Sequence, residues 1–344
     1  MKIAVLAGGL SPERDVSLSS GSLIANALRR VGHRVFLLDV YEGVVTDEAD
    51  LDYLFEDNKG RPYTYTVSES EPDLDEIRAR NNNGAALIGH NVLRICKAAD
   101  VVFIALHGAM GENGQLQATF DVMGIKYTGT GYIGSLLAMD KDLTKKLLRQ
   151  GGIPTAEWLL CDASMPVQDI IGQIGLPCVV KPRSAGSSIG VSIAKDAEEL
   201  KKAVMCAKRV EQDVLIEKMV KGREFSVGVL DGRALPVIEI IPKEGFYDYR
   251  NKYQSGLTNE ICPAVLSEYD TMRVQAAALN IHKILGLGTY SRIDFIMDGS
   301  GEFVCLEANT LPGMTPTSLI PQEALAEGIS YEELCNRIVE LAMG

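Results

Sequence analysis

The sequence lacks the features that mark secreted, membrane-spanning and nucleic-acid-binding proteins. Its seven cysteines are scattered, odd in number and without a CxxC pair, which argues against a disulfide framework and a zinc site. The net charge is −12 and no block of Lys and Arg occurs, so we expect no nucleic-acid partner. The apolar run after Met1 is short and ends at Gly8–Gly9, unlike a signal peptide or a membrane span. These absences predict a cytoplasmic protein with no membrane partner.

Two familiar phosphate-binding motifs are also absent. The N-terminal order of strand, glycine turn and helix is typical of a dinucleotide-binding fold, but GxGxxG is missing and charged residues stand where a pyrophosphate would bind. The chain also lacks the GxxxxGKS/T motif of a P-loop. A nicotinamide cofactor at the N-terminus is therefore not expected. Glu13, after the glycine turn, faces either a substrate ammonium or solvent, and the residues alone leave both interpretations open.

The apolar patterning that is present predicts an α/β protein, and 344 residues are enough for two or three domains. Apolar runs predict strands at 2–6, 33–40, 100–106, 125–127, 176–182, 191–194 and 213–219. Helical periodicity and capping residues predict helices at 16–31, 115–123, 132–150, 196–210 and 267–285, and a last helix after Ser330. Asp231–Gly232 predicts a two-residue hairpin turn between two further strands.

A hairpin around residue 300 carries the clearest polar pattern. Two apolar runs flank a Gly-Ser-Gly turn, and a four-residue loop would pair Asp298 with Phe303 and place Asp294 opposite Glu307. Facing carboxylates repel each other unless a cation lies between them, and Mg²⁺ prefers such oxygen ligands. We therefore favour a metal site over the alternative of ordinary surface acids. Because strand side chains alternate, one face carries four polar residues: Arg292, Asp294, Glu307 and Asn309.

A second group of residues suits a nucleotide. The strand at 176–182 brings Lys181 to its end, and a loop of glycine and serine follows at 183–190. Glycine permits close approach, so such a loop can point backbone N–H groups and hydroxyls at phosphates; a plain flexible hairpin loop is the alternative. Residues 217–220 alternate acid and apolar side chains at a strand end, which suits an adenine and ribose site or a half-exposed edge strand.

Two further features are weaker on their own. His107 follows a buried strand, where a single histidine is more often structural than catalytic. Residues 245–256 are aromatic and charged without apolar periodicity, which is typical of a lid or a binding loop rather than a spacer. Neither feature assigns a function by itself.

As an ordered set, these segments resemble the D-alanine–D-alanine ligase family of ATP-grasp enzymes. Each motif is weak alone, but their order and spacing are specific, and the resemblance extends to the last helix. The motifs are IAVLAGG at 3–9, SPERDVS at 11–17, LHG at 106–108, GSSIG at 186–190, YDYRNKY at 247–253, SRID at 291–294 and LEANTLPGM at 306–314.

The resemblance implies a fold and an activity. The fold is α/β, an ATP-grasp fold preceded by a Rossmann-like N-terminal domain, with domains at 1–131, 132–221 and 222–344 and ATP between the last two. The implied activity is ATP-dependent ligation of two D-alanine molecules to D-alanyl-D-alanine through an acyl phosphate, for peptidoglycan precursor synthesis. The resemblance also implies a cytoplasmic homodimer.

It further implies roles for individual residues of this chain. The nucleotide-binding set is Lys141, Lys181, Ser188, Glu217, Lys218, Met219, Val220, Glu224 and Lys252. Two Mg²⁺ ions, or Mn²⁺ in their place, are bound by Asp294, Glu307 and Asn309. The catalytic set is Glu13, Ser187, Tyr253, Arg292, Gly313 and Ser318. The substrate-binding set is Glu13, His107, Ser318 and Leu319.

The chain departs from the family pattern at Thr317, where many relatives carry His, and in the polar stretch 41–97, which has no functional counterpart. Rival interpretations are a ligase of D-alanine with D-lactate or D-serine, another ATP-grasp ligase, and a non-catalytic nucleotide-binding regulator. The complete metal-binding set and Arg292 argue against the regulator. Tyr253 in the lid favours a dipeptide product over a depsipeptide.

Overall fold

The computed structural model describes residues 1–56, 60–68, 72–81, 83–161, 165–186, 189–243 and 258–344. The strands of these residues form three β-sheets that follow one another along the chain and pack on apolar cores. Helices cover the sheets. None of the helices in the described ranges is long and apolar enough to cross a membrane.

The N-terminal sheet is parallel. Its elements are β1 Lys2–Ala7, α1 Arg14–Arg30, β2 Arg34–Asp39, a 3₁₀ turn Asp52–Phe55, α2 Leu74–Asn81, α3 Val92–Ala98, β3 Val101–Ile104, α4 Ala109–Glu112 and α5 Gln115–Met123. The strands lie in the order β2-β1-β3, and β1 is apolar at almost every position, as expected of a parallel strand covered on both faces. Val102 forms a single parallel bridge to Tyr127, so the strand predicted at 125–127 is reduced to that bridge.

The central sheet is antiparallel. Its unit contains α6 Tyr132–Met139, α7 Lys141–Gln150, β4 Trp158–Cys161, α8 Val167–Ile174, β5 Cys178–Pro182, β6 Ser192–Ala194, α9 Ala197–Val210 and β7 Val214–Lys218. The strand order is β4-β7-β5-β6. Buried side chains of α8 and α9 pack on one core with those of β5 and β7.

The C-terminal sheet is the largest of the three. Its unit contains β8 Gly222–Leu230, β9 Arg233–Ala234, β10 Ile238–Pro242, β11 Thr258–Ile261, α10 Glu268–Ile284, β12 Tyr290–Asp298, β13 Phe303–Asn309, α11 Leu319–Ala326 and α12 Tyr331–Met343. The strand order is β11-β10-β8-β12-β13, with β9 paired to β8. The last helix, α12, leaves this unit: Leu334, Ile338 and Val339 join the apolar core beneath the N-terminal sheet.

Most predicted elements are confirmed, with shifts at their ends, but the predicted continuous helix at 132–150 is wrong. The helix breaks at Asp140, whose backbone is extended. The Asp140 side chain accepts hydrogen bonds from Asp142 N at 3.1 Å and Leu143 N at 3.0 Å, and so caps α7. An aspartate gains more from capping two free N–H groups than from a helix-interior position, which explains the break.

The predicted β12–β13 hairpin is confirmed, but its register near the turn differs from the prediction. Phe303 pairs with Met297, not with Asp298. A β-bulge then adds Leu306 to β13, and this extra residue restores the predicted pairing of Asp294 with Glu307. The Asp231–Gly232 turn is also confirmed, since Leu230 pairs with Arg233 and both turn residues have positive φ.

Candidate active site

Polar side chains of β8, β12 and β13 meet on one face of the C-terminal sheet, here called the catalytic face. Arg292 donates to Asp294 twice, from Nε to Oδ1 at 2.9 Å and from Nη2 to Oδ2 at 2.8 Å. Ser226 Oγ donates to Asp294 Oδ1 at 2.7 Å, and Asn309 Nδ2 donates to Oδ2 at 3.1 Å. Asp294 lies opposite Glu307 in the ladder, so the predicted pairing of these polar positions is confirmed.

The donor groups on the catalytic face fit a hard divalent cation. Asp294 and Glu307 supply carboxylate oxygens, and Asn309, whose amide nitrogen faces Asp294, keeps its amide oxygen for a ligand. Within the described ranges, no group of three or more His, Cys, Asp or Glu side chains lies close enough to hold a metal ion. A cation here would therefore complete its coordination with substrate oxygens, as Mg²⁺ does beside phosphates.

A cavity of about 180 Å³ lies between the central and C-terminal sheets. Most residues predicted to bind the nucleotide line it together with two of the predicted metal ligands. The polar lining is Lys141, Lys181, Glu217, Glu224, Asp294 and Glu307, and the apolar lining includes Val179, Ile193, Met219, Val220, Ile296 and Leu306. The cavity therefore joins a charged end to an apolar end, which suits a nucleotide.

Glu217 lies between two buried lysines at the wall of this cavity. Its Oε1 is 2.6 Å from Lys181 Nζ and its Oε2 is 2.8 Å from Lys145 Nζ. Burial by itself would raise the pKa of Glu217, but the two ammonium groups outweigh burial and lower the pKa. Burial lowers the pKa of Lys145, and Glu217 opposes that shift. With all three groups ionised the cluster is positive, which favours a polyanionic ligand.

Sequence reasoning missed Lys145. Helix α7 presents Lys141 and Lys145 on one face, because residues four apart are neighbours on a helix. Lys141 Nζ donates to the carbonyl of Ala185 at 2.6 Å, which ties α7 to the start of the glycine-serine loop. Burial lowers the pKa of Lys141, and Glu307 opposes that shift. The spacing from Lys141 was therefore the available signal for Lys145.

The carboxylate of Glu13 lies where the N-terminal unit meets the glycine-serine loop. Glu13 is buried just before α1, and Cβ atoms placed on Gly108 and Gly186 would lie 3.3 Å and 3.7 Å from its Oε2. Ser11 Oγ accepts from Glu13 N at 3.3 Å and donates to the carbonyl of His107 at 3.1 Å. The fold thus brings Glu13, His107 and the loop together.

His107 is a buried histidine with one ring nitrogen available to a ligand. Burial lowers its pKa, and the Glu13 carboxylate opposes that shift, so the ring is mainly neutral at pH 7. Nε2 is buried and has no hydrogen-bond partner among the residues that the structure describes. Buried polar atoms are rarely left unpaired, so a ligand atom is the natural partner here.

Glu112 is a second acid at this position, and sequence reasoning missed it as well. It accepts a hydrogen bond from Gly108 N at 2.9 Å, and a Cβ on Gly186 would lie 3.6 Å from its Oε2. Burial, and then the charge of Glu13, raise the pKa of Glu112 to about 8. Glu112 is therefore largely protonated at neutral pH. It ends the short helix α4, where no periodic pattern marks it.

The loop between β13 and α11 brings Gly313 against Ser318. A Cβ on Gly313 would lie 2.9 Å from Ser318 Oγ. Ser318 Oγ accepts from Thr315 N at 3.1 Å and hydrogen bonds to Thr315 Oγ1 at 2.8 Å. The Leu319 side chain is buried in an apolar cluster with β10, so only its backbone is left to meet a ligand.

Four predicted site residues lie outside the described residues: Ser187, Ser188, Lys252 and Tyr253. The same holds for the whole predicted lid, residues 245–256. Lys218 is exposed at the end of β7, beyond the cavity lining. The roles of these five residues, like those of the other site residues, stay predictions.

Comparison with known proteins identifies the family. Two family models match the chain, "D-ala D-ala ligase N-terminus" over residues 2–130 and "D-ala D-ala ligase C-terminus" over residues 147–340. The D-alanine–D-alanine ligase of Pediococcus pentosaceus is 43% identical over 98% of this chain and 97% of its own length. That of Lacticaseibacillus casei is 40% identical over 98% of this chain and 95% of its own length.

Comparison with solved structures leads to the same family as comparison with the relatives in sequence. The D-alanine–D-alanine ligase of Bacillus anthracis superimposes with a TM-score of 0.76 at 31% identity, covering 100% of this chain and 97% of that one. The same enzyme complexed with ATP gives a TM-score of 0.77 at 29% identity, with the same coverage. The predicted α/β ATP-grasp fold class is thereby confirmed. The chain belongs to the D-alanine–D-alanine ligase family.

Proposed function

We propose that this chain is an ATP-dependent ligase that joins two D-alanine molecules into D-alanyl-D-alanine, with release of ADP and phosphate, for peptidoglycan precursor synthesis. One geometric observation carries the proposal beyond family membership. A single cavity joins the Lys145–Glu217–Lys181 cluster to the acids of the catalytic face. A relative complexed with ATP supports ATP as the nucleotide.

In the first step, a carboxylate oxygen of the first D-alanine attacks the γ-phosphorus of ATP, the bond to the bridging oxygen breaks, and ADP leaves. Lys141 and Lys181 line the cavity and would offset the charge of the phosphates. Lys252 and Ser188 would add contacts from the lid and the glycine-serine loop. Mg²⁺ held by Asp294, Glu307 and Asn309 would orient the phosphate oxygens and neutralise their charge.

The first D-alanine would bind between the N-terminal unit and the glycine-serine loop. Glu13 would accept the substrate ammonium, and His107 Nε2 would meet its carboxylate end. Because Glu112 is largely protonated, the pocket carries less negative charge than ionised Glu13 and Glu112 together would give it. Ser187 and Tyr253 would connect the loop and the lid to Glu13.

In the second step, the free amine of the second D-alanine attacks the acyl carbon. The tetrahedral oxyanion then expels phosphate, and the nitrogen loses a proton. Arg292 and the backbone N–H of Gly313 would stabilise the oxyanion, because fixed donors favour the charge that develops there. Ser318 Oγ and the Leu319 N–H, at the start of α11, would bind the second carboxylate.

The acyl phosphate is tested with ATP that carries an oxygen label in the β–γ bridge. Reversible phosphoryl transfer lets the label scramble into non-bridging positions, and we expect this scrambling to depend on D-alanine. Label that scrambles equally without D-alanine, or never scrambles, argues against the intermediate. ADP release measured with each D-amino acid and with D-lactate would identify the acceptor.

Tyr253 supports D-alanine as the acceptor. Its phenol would tie the lid to Ser187 and hold a closed site that suits a neutral amine. We expect Tyr253→Phe to lose dipeptide rate and gain relative use of D-lactate. Competition between the two acceptors measures this, and an unchanged product ratio would leave Tyr253 as a packing residue.

We also propose a cytoplasmic homodimer. All seven cysteines are free thiols, and most are buried, which suits a reducing compartment. Sedimentation equilibrium of the full chain measures the oligomeric state. A monomer at micromolar concentration would contradict the dimer without affecting the proposed activity.

A further inference from the structure

Glu323 is a fully buried acid that neither the sequence motifs nor the proposed mechanism uses. From α11 it reaches strand β8, where its Oε2 accepts a hydrogen bond from Gly228 N at 2.7 Å. Its Oε1 has no hydrogen-bond partner within the described part of the chain. Burial raises the pKa of Glu323 well above its ordinary value, although Gly228 and Arg292 oppose the shift. Glu323 is therefore a fully buried carboxyl group held against the backbone of β8.

The hydrogen bond to Gly228 fills a gap in the sheet. Strand β10 pairs with β8 from Ser226 back towards Glu224 and does not extend to Gly228. The carbonyl of Gly228 accepts instead from Leu235 N at 2.8 Å, and its N–H is satisfied by Glu323. Buried backbone N–H groups are almost always paired, so Glu323 replaces a missing strand partner.

Glu323 also lies on the catalytic face. Gly228 is the register partner of Arg292, just as Ser226 is the partner of Asp294. Directly paired residues point to the same face, so the missing side chain of Gly228 leaves a notch beside Arg292. A Cβ on Gly228 would collide with Glu323 Oε2, which shows that the carboxyl group occupies this notch.

The same helix carries the proposed acceptor contacts at its start, about one turn before Glu323. Ser318 immediately precedes α11 and Leu319 is its first residue. Leu319 and Ile320 pack α11 on the sheet through apolar contacts, which are not directional. The hydrogen bond from Glu323 to Gly228 is directional, so it fixes where the helix sits along β8.

We propose that Glu323 is a positioning residue that holds the acceptor-binding start of α11 in register with Arg292. The inference rests on the proposed function, and it concerns the second step of the reaction. Phosphoryl transfer to the first D-alanine does not use α11. Loss of Glu323 should therefore separate the two steps.

The test compares D-alanine-dependent label scrambling with dipeptide formation in Glu323→Ala and Glu323→Gln. For Glu323→Ala we expect the KM for the second D-alanine to rise about tenfold or more, while scrambling stays within about twofold of wild type. The amide oxygen of Gln can accept from the Gly228 N–H, and Gln matches Glu in shape. Glu323→Gln should therefore keep the KM for the second D-alanine within about threefold of wild type.

Several outcomes would overturn the inference. Equal loss of scrambling and dipeptide formation indicates a general folding defect, and an unchanged KM in Glu323→Ala indicates no positioning role. A Gln variant as impaired as the Ala variant contradicts a positioning role for the hydrogen bond to Gly228. Glu327→Ala, at an exposed position just after the same helix, is the matched control and should behave as wild type.

If Glu323→Ala does not fold, Glu323→Asp serves in its place. Its shorter side chain withdraws the carboxyl from Gly228 while keeping an acid at the position, and the same rise in KM for the second D-alanine is expected. A wild-type chain without D-alanine-dependent ADP release would overturn the proposed function instead, because that measurement is made on the unmutated chain.

Discussion

Glu307 lies half-buried opposite Asp294 at the wall of the nucleotide cavity. Glu307→Gln removes a negative charge with little change in volume, so folding should survive. If Glu307 binds Mg²⁺, the substitution should lower ATP turnover by about 100-fold or more and shift its Mg²⁺ dependence to higher concentration. ADP release measured across a Mg²⁺ titration checks this.

The matched control for that prediction is Glu302→Gln, an exposed acid in the loop of the same hairpin. It should keep the wild-type Mg²⁺ dependence. Near-normal ATP turnover by Glu307→Gln, with thermal unfolding unchanged in both variants, would show that Glu307 does not bind the metal.

Glu112 makes the stability of the ligand-free protein depend on pH. Its pKa is raised from the ordinary 4.5 to about 8, so the folded state binds more protons than the unfolded state between these values. The stability that this protonation contributes is present at low pH and is lost as the pH rises through about 8. The stability advantage of Glu112→Gln, which stays neutral, over wild type should therefore grow by roughly 1–3 kcal/mol between pH 6 and pH 9.

Thermal unfolding at pH 6 and pH 9 measures that difference. At pH 6 the folded pocket is neutral at this position in both proteins, but the unfolded wild type is already ionised there, so the variant should be more stable than wild type by less than at pH 9. Glu327→Gln should show no such pH dependence, because its side chain is exposed. A stability difference that is the same at both pH values would contradict the raised pKa.

Sequence reasoning located the residues that lie within motifs and missed those that depend on tertiary neighbours. The apolar pattern of four strands fixes the positions of the polar residues that lie within them, Lys181, Glu217, Asp294 and Glu307. Lys145 lies far from Glu217 in sequence, and its burial arises only when α7 packs beside β7. The helical spacing from Lys141 places Lys145 on the same face of α7, but nothing in the sequence reveals its long-range pairing with Glu217.

At the scale of elements, the bulge in β13 decides what the hairpin presents. Consecutive strand residues normally point to opposite faces, yet Leu306 and Glu307 both line the nucleotide cavity. The extra residue at the bulge allows this. Leu306→Ala should raise the KM for ATP about fivefold through lost apolar contact, with little effect on the pairing of Asp294 and Glu307.

Steady-state ADP release against ATP concentration checks the Leu306 prediction. Leu325→Ala, at an exposed leucine of α11, should leave the KM for ATP unchanged. If Leu306→Ala instead abolishes Mg²⁺-dependent turnover, the bulge serves the metal site rather than the nucleotide.

The bulge also shows what the sequence could not reveal about the elements. Counting back from the turn predicted that Asp294 faces Glu307, and this is correct although the pairing near the turn is not. The shifted register near the turn and the extra residue of the bulge cancel each other, and neither can be recognised in the apolar pattern. The break at Asp140 is of the same kind, since a capping side chain overrides the helical periodicity on both sides of it.

At the scale of the whole molecule, the order of strands and helices predicted the fold class but not how the units meet. The parallel N-terminal sheet and the hairpin-rich C-terminal sheet follow from local pattern. The bridge between Thr155 and Cys305, where the central and C-terminal units touch, has no local signature. The placement of α12 on the N-terminal core likewise could not be read from the sequence.

That placement of α12 has a consequence for biosynthesis. The first core to be synthesised is completed by α12, so it stays open until residues 331–343 have been made and can fold onto it. A chain truncated before Tyr331 should expose the core residues that Leu334 covers. It should therefore bind a hydrophobic dye and lack ligase activity. Addition of a separate peptide of 331–344 should reduce the dye signal. A truncated protein that binds no dye and keeps its ligase activity would contradict this. A chain that lacks α12 is therefore expected to have no ATP-dependent activity.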